Sequence, residues 1–421
     1  MTDPTPSAPD VEMPKKADTV AYPMARTCPL HQPDAYAEMS ARRPVSVAEL
    51  PSGRPVWLVA SHQLAREILT DPRISANRFH PGFPHMFRSV PSQPPSDAVR
   101  HAHSLIGRAF AVDGPEHSTR KKLIISDFTV RRVQTLRPRI QEIVDRCLDR
   151  MLAGDNPTDL VQAFALPVPS EVISELLNVP LADREFYLER TRIMVDHAST
   201  VEQRQQANLD VLGKLDALIT ARETAPEDDV LSRLVQRNQN TETLSHDEVV
   251  GMAAFLLISG FETTANMIAM GTIGLLENPD QLALLKADPS LSSGAVEELL
   301  RYFSVSDPAG SRVALENINI GGETIPAGAG VIALAGAANW DESVFEHPER
   351  IDIRRDARAH LAFGHGAHQC IGLNLARLEL DVVFSTLFRR LPGLRLERPS
   401  GELRYKEHAN IYGVYEVPVS W

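Results

Sequence analysis

The middle of the chain carries apolar residues at the spacing of α-helices. In RIQEIVDRCLDRML, residues 139–152, they recur every three or four positions, which is the period of one helix face. Cys147 falls within this pattern, so we expect a buried core thiol there. A second amphipathic helix is predicted for residues 371–391, beginning directly after Cys370.

Strand patterns are confined to three separated stretches of the chain. Residues 45–61 favour a hairpin that turns at Gly53, and residues 311–334 alternate between apolar and polar positions. Residues 394–421, at the end of the chain, show the same strand pattern. Strands that are distant in sequence have to pair with one another. The sequence therefore predicts a mainly α protein with a smaller β portion (α+β), folded as a single domain over residues 21–421.

One segment is long and apolar enough to cross a membrane. Residues 251–276 contain a single charged side chain, Glu262, and they follow a capping box formed by Ser245 and Glu248. Polar groups at the centre of the segment are costly in lipid, and neither aromatic belts nor clusters of Lys and Arg flank its ends. We therefore expect the central helix of a protein core and no membrane partner.

Composition narrows the possible partners and compartments. The 421 residues are 43% hydrophobic and 23% charged, as in a globular protein with a core, and the formal net charge of -12 disfavours nucleic acid as a partner. Three widely spaced cysteines indicate a reducing compartment rather than a disulfide framework. Residues 1–20, rich in Pro, Asp, Ser and Lys, predict a disordered lead-in without a signal peptide, so we expect a cytoplasmic protein.

One of the cysteines, Cys370, lies among glycines and histidines in FGHGAHQCIG, residues 363–372. The start of the following helix would lower the pKa of this thiol and favour the thiolate. The glycines would let a flat cofactor approach the backbone closely. Beside a buried free thiol, the residues alone leave three hypotheses open: a nucleophile paired with His368, a zinc site with His365 and His368, or a thiolate ligand of an iron cofactor.

The same ten residues resemble the cysteine-ligand loop of the cytochrome P450 superfamily. In that family Phe, Gly, Cys and Gly recur at the positions of Phe363, Gly366, Cys370 and Gly372. The resemblance runs from about residue 22 to the C-terminus and is greatest to soluble bacterial members of actinomycete type. It implies the P450 fold, with a helix-rich lobe and a β-rich lobe around a buried haem b (iron protoporphyrin IX), and it implies that Cys370 is the axial thiolate.

A second motif carries the same resemblance. SGFETT, residues 259–264, matches the Gly-x-(Asp/Glu)-Thr motif of the family's oxygen-activating helix, where an acid beside an alcohol relays protons into a pocket that excludes water. The match implies catalytic roles for Glu262 and Thr263. For a threonine considered alone, the common alternative is a hydroxyl that bonds back to the carbonyl four residues earlier.

An E-x-x-R pair, Glu298 and Arg301, lies three residues apart on one predicted helix face. Taken alone, such a pair is most often exposed and contributes about 0.2–0.5 kcal/mol. In the P450 family the pair is instead buried beneath the cysteine loop and joined by an arginine from a later meander. The resemblance therefore implies a structural cluster of Glu298, Arg301 and Arg350, the last of them from HPERID.

The resemblance also implies which residues surround the haem, the substrate and a redox partner. Haem contacts are expected from the cysteine loop, the oxygen-activating helix and the propionate ligands: His117, Lys121, Gly260, Arg312, Phe363, Gly364, Gly366, His368 and Gly372. Contacts to an apolar substrate are expected from a Pro-rich loop and the same helix: Phe79, Phe83, Met86, Phe87 and Ser259. A basic run over residues 117–139 is expected to dock a ferredoxin through four cations: Arg120, Lys122, Arg131 and Arg132.

Together these motifs imply a monooxygenase supplied with electrons from NAD(P)H by a ferredoxin reductase and a ferredoxin. One atom of O2 would enter an apolar small molecule, such as a polyketide, macrolide, steroid or xenobiotic, by hydroxylation or epoxidation, and the other would leave as water. A peroxide-driven peroxygenase and a non-catalytic haem sensor are alternatives that do not need the pair Glu262 and Thr263. A thiol or zinc hydrolase would need no haem.

Overall fold

In the computed structural model of the protein, the described residues are 20–86, 96–195, 199–407 and 409–421. The chain divides into two compact units, each built from three segments of sequence. The β-rich unit comprises Met1–Arg88, Met270–Cys370 and Arg398–Tyr415. The helical unit comprises Ser89–Ala269, Ile371–Glu397 and Glu416–Trp421. Because the segments alternate along the chain, no single cut separates the two units.

The strands are short and are shared unequally between the units. In chain order they are β1 Val20–Ala21, β2 Val45–Glu49, β3 Pro55–Val59, β4 Ile74–Ser75, β5 Thr158–Asp159, β6 Ser311–Ala314, β7 Ile318–Ile320, β8 Glu323–Ile325, β9 Gly330–Ala333, β10 Arg395–Leu396 and β11 Pro418–Ser420. Among the described residues, the β-rich unit holds a sheet of order β1-β2-β3-β9-β6-β4 and the β7–β8 hairpin, and the helical unit holds a sheet of order β10-β11-β5. The predicted lead-in lies outside the described residues except for Val20, which belongs to β1.

Helices form most of the described chain. In chain order they are α1 Ala35–Arg42, α2 His62–Thr70, α3 Asp97–Arg108, α4 Gly114–Lys122, α5 Val130–Gln134, α6 Arg137–Leu152, α7 Pro167–Leu176, α8 Leu181–Val195, α9 Val201–Thr224, α10 Val230–Thr241, α11 His246–Glu277, α12 Pro279–Ala287, α13 Ser292–Phe303, α14 Ala335–Asn339 and α15 Leu373–Arg390. The predicted fold class, mainly α with a smaller β portion, is confirmed.

The hairpin predicted for residues 45–61 is present. Strands β2 and β3 pair in antiparallel register, with Val47 opposite Trp57. Gly53 has a φ of +74°, a conformation that favours glycine, and it closes the turn. Strand β3 then pairs in parallel with β9, where Trp57 lies beside Val331. The two sequence-distant strand regions therefore share one sheet, and their apolar faces form a common core.

Helix α11 begins with the predicted capping box. The N–H of Ser245 donates to the Glu248 carboxylate at 2.9 Å, and the N–H of Glu248 donates to the Ser245 hydroxyl at 3.3 Å. Within the described chain, α11 is the one helix long and apolar enough to cross a membrane, but 67% of its most apolar stretch is buried inside the protein. Such burial is typical of a core helix.

Helix α6 buries one apolar face, as its periodicity predicts. Cys147 lies on that face and is fully buried, so its prediction as a core thiol is confirmed. Burial, and secondarily the nearby Glu171 carboxylate, raises the pKa of this thiol to about 12. Because the thiolate is the reactive form of cysteine, Cys147 is expected to be chemically inert at neutral pH.

Candidate active site

The cysteine loop, residues 363–370, folds back on itself. The backbone N–H of Cys370 donates a 2.9 Å hydrogen bond to the carbonyl oxygen of Phe363. Gly366 has a φ of +77°, and a Cβ atom at this position would lie 2.8 Å from the carbonyl oxygen of Leu69 on α2. Both the backbone conformation and the close approach therefore demand glycine at position 366.

The thiol of Cys370 is exposed, and a Cβ atom added at Gly364 would meet no other atom within 4 Å. A single accessible sulfur beside open backbone fits a haem iron held by one thiolate. The zinc hypothesis has no support, because no three His, Cys, Asp or Glu side chains of the described residues are placed to hold a metal ion. Helix α15 begins at Leu373, so the prediction that it starts directly after Cys370 is wrong by two residues.

The acid–alcohol pair lies at the centre of α11. Glu262 and Thr263 are both half-buried. The Thr263 hydroxyl donates a 3.0 Å hydrogen bond to the carbonyl oxygen of Ser259, and the next hydroxyl, that of Thr264, donates a 3.0 Å bond to Gly260. Both threonine hydroxyls therefore bond to the carbonyl four residues earlier, which is the common alternative for a threonine within a helix. A hydroxyl that donates in this way can still accept a hydrogen bond from another group through the lone pairs of its oxygen.

For two other residues of this motif, Gly260 and Ser259, local packing does not explain why this residue type is present. A Cβ atom at Gly260 would lie 3.5 Å from the Cδ1 atom of Ile173, which is an ordinary van der Waals contact. Packing inside the helical unit therefore does not require glycine, and the approach of a haem stays the predicted reason for it. Ser259 is exposed, and its hydroxyl donates to the carbonyl oxygen of Phe255 at 2.6 Å. Its contact with substrate also stays a prediction.

The E-x-x-R pair is buried as predicted. The side chains of Glu298 and Arg301 are both 0% exposed, and Nε of Arg301 lies 2.7 Å from Oε2 of Glu298. The two terminal guanidinium nitrogens of Arg301 also donate to Oε1 of Glu298 and to the carbonyl oxygens of Asn339, Pro348 and Arg350. All five N–H donors of the guanidinium therefore have acceptors. This arrangement excludes the alternative of an exposed surface pair.

The third member of the cluster is Arg355, and the prediction of Arg350 is wrong. The Nε atom of Arg355 lies 3.2 Å from Oε1 of Glu298. Arg350 contributes only its carbonyl oxygen to Arg301, and its side chain is 74% exposed, 3.5 Å from Glu349. The meander therefore turns the backbone of Arg350 inward and its side chain outward. Arg355 was not anticipated from the sequence, although it is the second of two adjacent arginines in IDIRRD.

The four predicted propionate ligands occupy both units. In the helical unit, His117 is buried and Lys121 is half-buried, one turn apart on α4. In the β-rich unit, Arg312 is buried on β6, where Nη1 donates to two backbone carbonyls at 3.0 and 2.7 Å. His368 is half-buried at the end of a short 3₁₀ turn in the cysteine loop. His117 and Arg312 are therefore not solvated surface charges.

The residues predicted to contact substrate have mixed surroundings. Met86 is packed in the core of the β-rich unit, so its prediction as a pocket residue is wrong. Phe83 is also buried, with its ring centroid 5.0 Å from that of His85. Phe79 is 47% exposed and stays a candidate contact. Phe87 lies outside the described residues.

The basic run on α4 to α6 is largely neutralised by acids on α4 and α6 themselves and on other elements. Arg120 is buried and pairs with Glu116 at 2.8 Å and with Glu248 at 2.6 Å, so its prediction as an exposed docking residue is wrong. Three further arginines of the run are paired: Arg132 with Asp228, Arg137 with Asp381, and Arg139 with Glu142 and Glu175. Lys122 and Arg131 remain exposed. The excess of cations counted along the sequence is therefore much smaller at the surface.

A buried carboxyl on α15 was also not anticipated. Glu379 is 2% exposed, and its Oε1 atom has no hydrogen-bond partner among the described residues. Burial raises the pKa of Glu379 to about 8. The folded protein therefore retains a proton near neutral pH that the unfolded chain releases above a pKa of about 4.3. Between these two values, each rise in pH favours the unfolded chain.

We expect the Glu379→Gln variant to become progressively more stable than the wild type as the pH rises. Because the variant has no titrating proton at this position, the difference in unfolding free energy should grow by about 1.4 kcal/mol per pH unit between pH 5.5 and 7.5. It should level off above pH 8, where the wild-type carboxyl ionises in the folded state as well. Urea unfolding at fixed pH values measures the difference. A difference that is independent of pH would show that Glu379 is ionised in the folded protein.

Comparison with known proteins finds relatives over nearly the whole chain. The family model for cytochrome P450 matches residues 291–398. The vitamin D3 dihydroxylase of Streptomyces griseolus is 43% identical over 410 residues, which cover 97% of this chain and 98% of the relative. The 20-oxo-5-O-mycaminosyltylactone 23-monooxygenase of Streptomyces fradiae is 40% identical over 406 residues, which cover 96% of this chain and 93% of that relative.

The fold agrees with these relatives. The crystal structure of cytochrome P450 MoxA from Nonomuraea recticatena matches with a TM-score of 0.87 and 45% sequence identity, covering 96% of this chain and 98% of the other. The structure of this chain contains the cysteine loop with Gly366 at positive φ and the buried E-x-x-R pair that the resemblance implies. The chain therefore belongs to the cytochrome P450 family of haem-thiolate monooxygenases.

Proposed function

We propose that the protein is a ferredoxin-dependent monooxygenase, using haem b, that inserts one oxygen atom of O2 into an apolar small molecule. The observation that carries the proposal is the acid–alcohol pair, Glu262 and Thr263, half-buried in a helix stretch that has no other charged residue. A peroxygenase that receives hydrogen peroxide does not need such a pair, because its oxidant already carries the protons. Reduction by NAD(P)H and a ferredoxin also fits the expected cytoplasmic location.

The side chains of this protein have separate tasks in the proposed reaction. A haem bound through Cys370 would supply the redox chemistry, in which substrate, O2, two electrons and two protons give the oxygenated product and water. The Thr263 hydroxyl, held by its bond to the Ser259 carbonyl, orients its oxygen to accept and pass on a proton. The proposed role of the Glu262 carboxyl, one residue earlier, is to replenish that proton.

The Thr263→Ala variant is expected to consume NAD(P)H but to yield less product for each equivalent. Without the hydroxyl, protons would not be delivered as cleavage of O2 requires, so the two electrons and two protons would leave with O2 as hydrogen peroxide. We expect product per NAD(P)H to fall about tenfold, less than the 10²–10⁴-fold typical of an essential proton donor, because water can partly substitute. Product, peroxide and NAD(P)H are measured in the same reaction.

Thr264→Ala is the matched control for this variant. Thr264 is buried on the same helix turn, and its hydroxyl makes an equivalent bond to the Gly260 carbonyl. It should retain the wild-type ratio of product to NAD(P)H. An equal loss of coupling in both variants would assign the effect to helix distortion and remove Thr263 from the proton relay.

The proposed substrate is a large, mainly apolar natural product or a similar xenobiotic. Two relatives are named for vitamin D3 and for a glycosylated lactone, which are both of this kind. Exposed Phe79 on the loop after β4 supplies an aromatic surface of the type that lines such pockets. A screen of steroids and macrolides for the spectral shift that follows displacement of iron-bound water would identify binders.

The proposed electron donor is a ferredoxin with an acidic docking surface. Lys122 and Arg131 are exposed cations of the basic run, and Arg132 contributes as well because its pair with Asp228 is solvent-exposed and therefore weak. A protein of net charge -12 repels an acidic partner overall, so a local basic surface is needed for steered association.

The double variant Arg131→Glu, Arg132→Glu is expected to slow reduction by ferredoxin about tenfold at low salt, because steering contributes at least this much to association rates. The rate should also lose its dependence on salt, and peroxide-driven turnover should not change. Stopped-flow reduction across a salt series measures both effects. The control is Arg42→Glu, Arg43→Glu, an equal charge change on exposed residues of the β-rich unit. Equal rates in the two double variants would exclude Arg131 and Arg132 from the docking surface.

A further inference from the structure

His360 lies three residues before the cysteine loop, and both nitrogens of its ring have partners inside the β-rich unit. Nδ1 accepts the backbone N–H of Ala362 at 3.1 Å, and Nε2 lies 3.0 Å from Oε2 of Glu297 on α13. An imidazole that accepts at Nδ1 carries its proton on Nε2, so His360 donates that proton to the Glu297 carboxylate. The two contacts together fix the tautomer and the orientation of the ring.

The surroundings of the ring hold it firmly in place. The His360 side chain is 1% exposed, and that of Glu297 is 14% exposed. The ring centroid of His360 lies 5.7 Å from that of Phe363, with 48° between the planes. The intervening residue is also fixed, because the N–H of Leu361 donates to Oδ1 of the buried Asn339 at 2.6 Å. The backbone therefore enters the cysteine loop in one defined conformation.

The geometry connects this histidine to Cys370 through a short series of contacts. The carboxylate of Glu297 orients the His360 ring, and the ring contacts both the backbone of Ala362 and the side chain of Phe363. The carbonyl oxygen of Phe363 then accepts the N–H of Cys370 at 2.9 Å. Movement of the ring would therefore displace the acceptor that holds the backbone of the cysteine.

We propose that Glu297 and His360 are positioning residues that set the placement of the Cys370 thiolate and so its strength as a haem ligand. They form a carboxylate–imidazole brace on the entry side of the loop. Groups that orient the ligands of a metal without binding the metal themselves typically change metal affinity or activity about 10–100-fold when they are lost. The inference rests on the proposed function only in that Cys370 binds the haem.

The experiment compares His360→Ala and Glu297→Ala with the conservative variant Glu297→Gln. The amide oxygen of the glutamine can still accept the Nε2 proton, whereas alanine leaves that donor unpaired. We expect the alanine variants to lose haem to excess apomyoglobin about tenfold faster than the wild type. Their reduction potentials should shift to higher values, and part of the thiolate-type Soret band should be lost, while Glu297→Gln should remain close to the wild type.

A histidine–carboxylate cluster far from the loop in sequence provides the matched control. In the helical unit, His246 lies 2.8 Å from Glu223 and 2.9 Å from Asp216. His246→Ala should lower thermal stability without changing the reduction potential or the rate of haem loss. If His246→Ala and His360→Ala alter the haem properties equally, the brace is only structural and the proposal is overturned.

The outcomes also distinguish this inference from the assignment of Cys370. A wild-type protein without the thiolate-type Soret band would refute the haem ligand itself. A normal wild-type band, with unchanged haem loss and potential in Glu297→Ala, would refute the brace alone. Should His360→Ala fail to fold, the two Glu297 variants still decide the proposal, because only the alanine variant should change the potential.

Discussion

Cys370→Ala is expected to abolish the strongly red-shifted Soret band of the reduced, carbon-monoxide-bound protein. That band is characteristic of a haem iron held by a thiolate, and Cys370, the exposed sulfur of the glycine-bounded loop, would supply that ligand. Alanine keeps the backbone bond to Phe363 but removes the ligand atom, so the loss should be complete rather than partial. A spectrum of the reduced protein before and after addition of carbon monoxide measures it.

The other two cysteines are controls for this experiment. Cys28 is half-buried and Cys147 is fully buried, and neither is in a disulfide. Cys28→Ala and Cys147→Ala should both retain the band, although Cys147→Ala leaves a small cavity in the core and should be somewhat less stable. If Cys370→Ala retained the band, the assignment of the haem ligand would be wrong.

Glu298→Ala and Arg301→Ala are expected to yield almost no haem-loaded protein. Each variant leaves one charge of a fully buried pair without its partner, which costs about 3–5 kcal/mol. Arg301→Ala would also remove the hydrogen bonds that join the carbonyl oxygens of Asn339 and Pro348 to α13. Domains have only about 5–15 kcal/mol of stability, so a loss of this size removes much of it. The ratio of Soret to protein absorbance and the thermal midpoint measure the effect.

Arg355 and Arg350 provide a matched pair that tests the geometry of this cluster. Arg355→Ala removes a partly buried hydrogen bond to Glu298 and should cost about 1.5–3 kcal/mol, the usual range for a bond to a charged group. Arg350→Ala removes only an exposed side chain and should change stability by less than about 0.5 kcal/mol. The reverse order of the two effects would restore Arg350 as the third member of the cluster.

Features that depend on neighbouring residues were predictable from the sequence. The capping box of Ser245 and Glu248 needs a spacing of three, and the hairpin at Gly53 needs a glycine with positive φ. The pairing of Glu298 with Arg301 follows from the helical repeat, which places residues three apart on one face. In each case the helical period or the turn geometry alone brings the interacting groups together.

Features that depend on the direction of a side chain in irregular structure were not predictable. Arg350 and Arg355 lie in one meander without regular period, so their sequence positions do not determine which guanidinium faces Glu298. Met86 has an apolar side chain of the kind that lines substrate pockets, yet it packs in the core. The unpaired carboxyl of Glu379 also follows from no local pattern, since its burial depends on the elements packed against α15.

The basic run over residues 117–139 shows the difference between what the sequence and what the tertiary structure determine. The sequence by itself determined that residues 117–139 are rich in cations, that the chain has the P450 motifs, and that Cys370 lies in a glycine-rich loop. Only the tertiary structure decided that Arg120 is buried against Glu248 and that Arg131 is exposed. The physical reason is that electrostatic interactions act through space over a few ångströms, so acids distant in sequence neutralise cations that composition counts as unpaired.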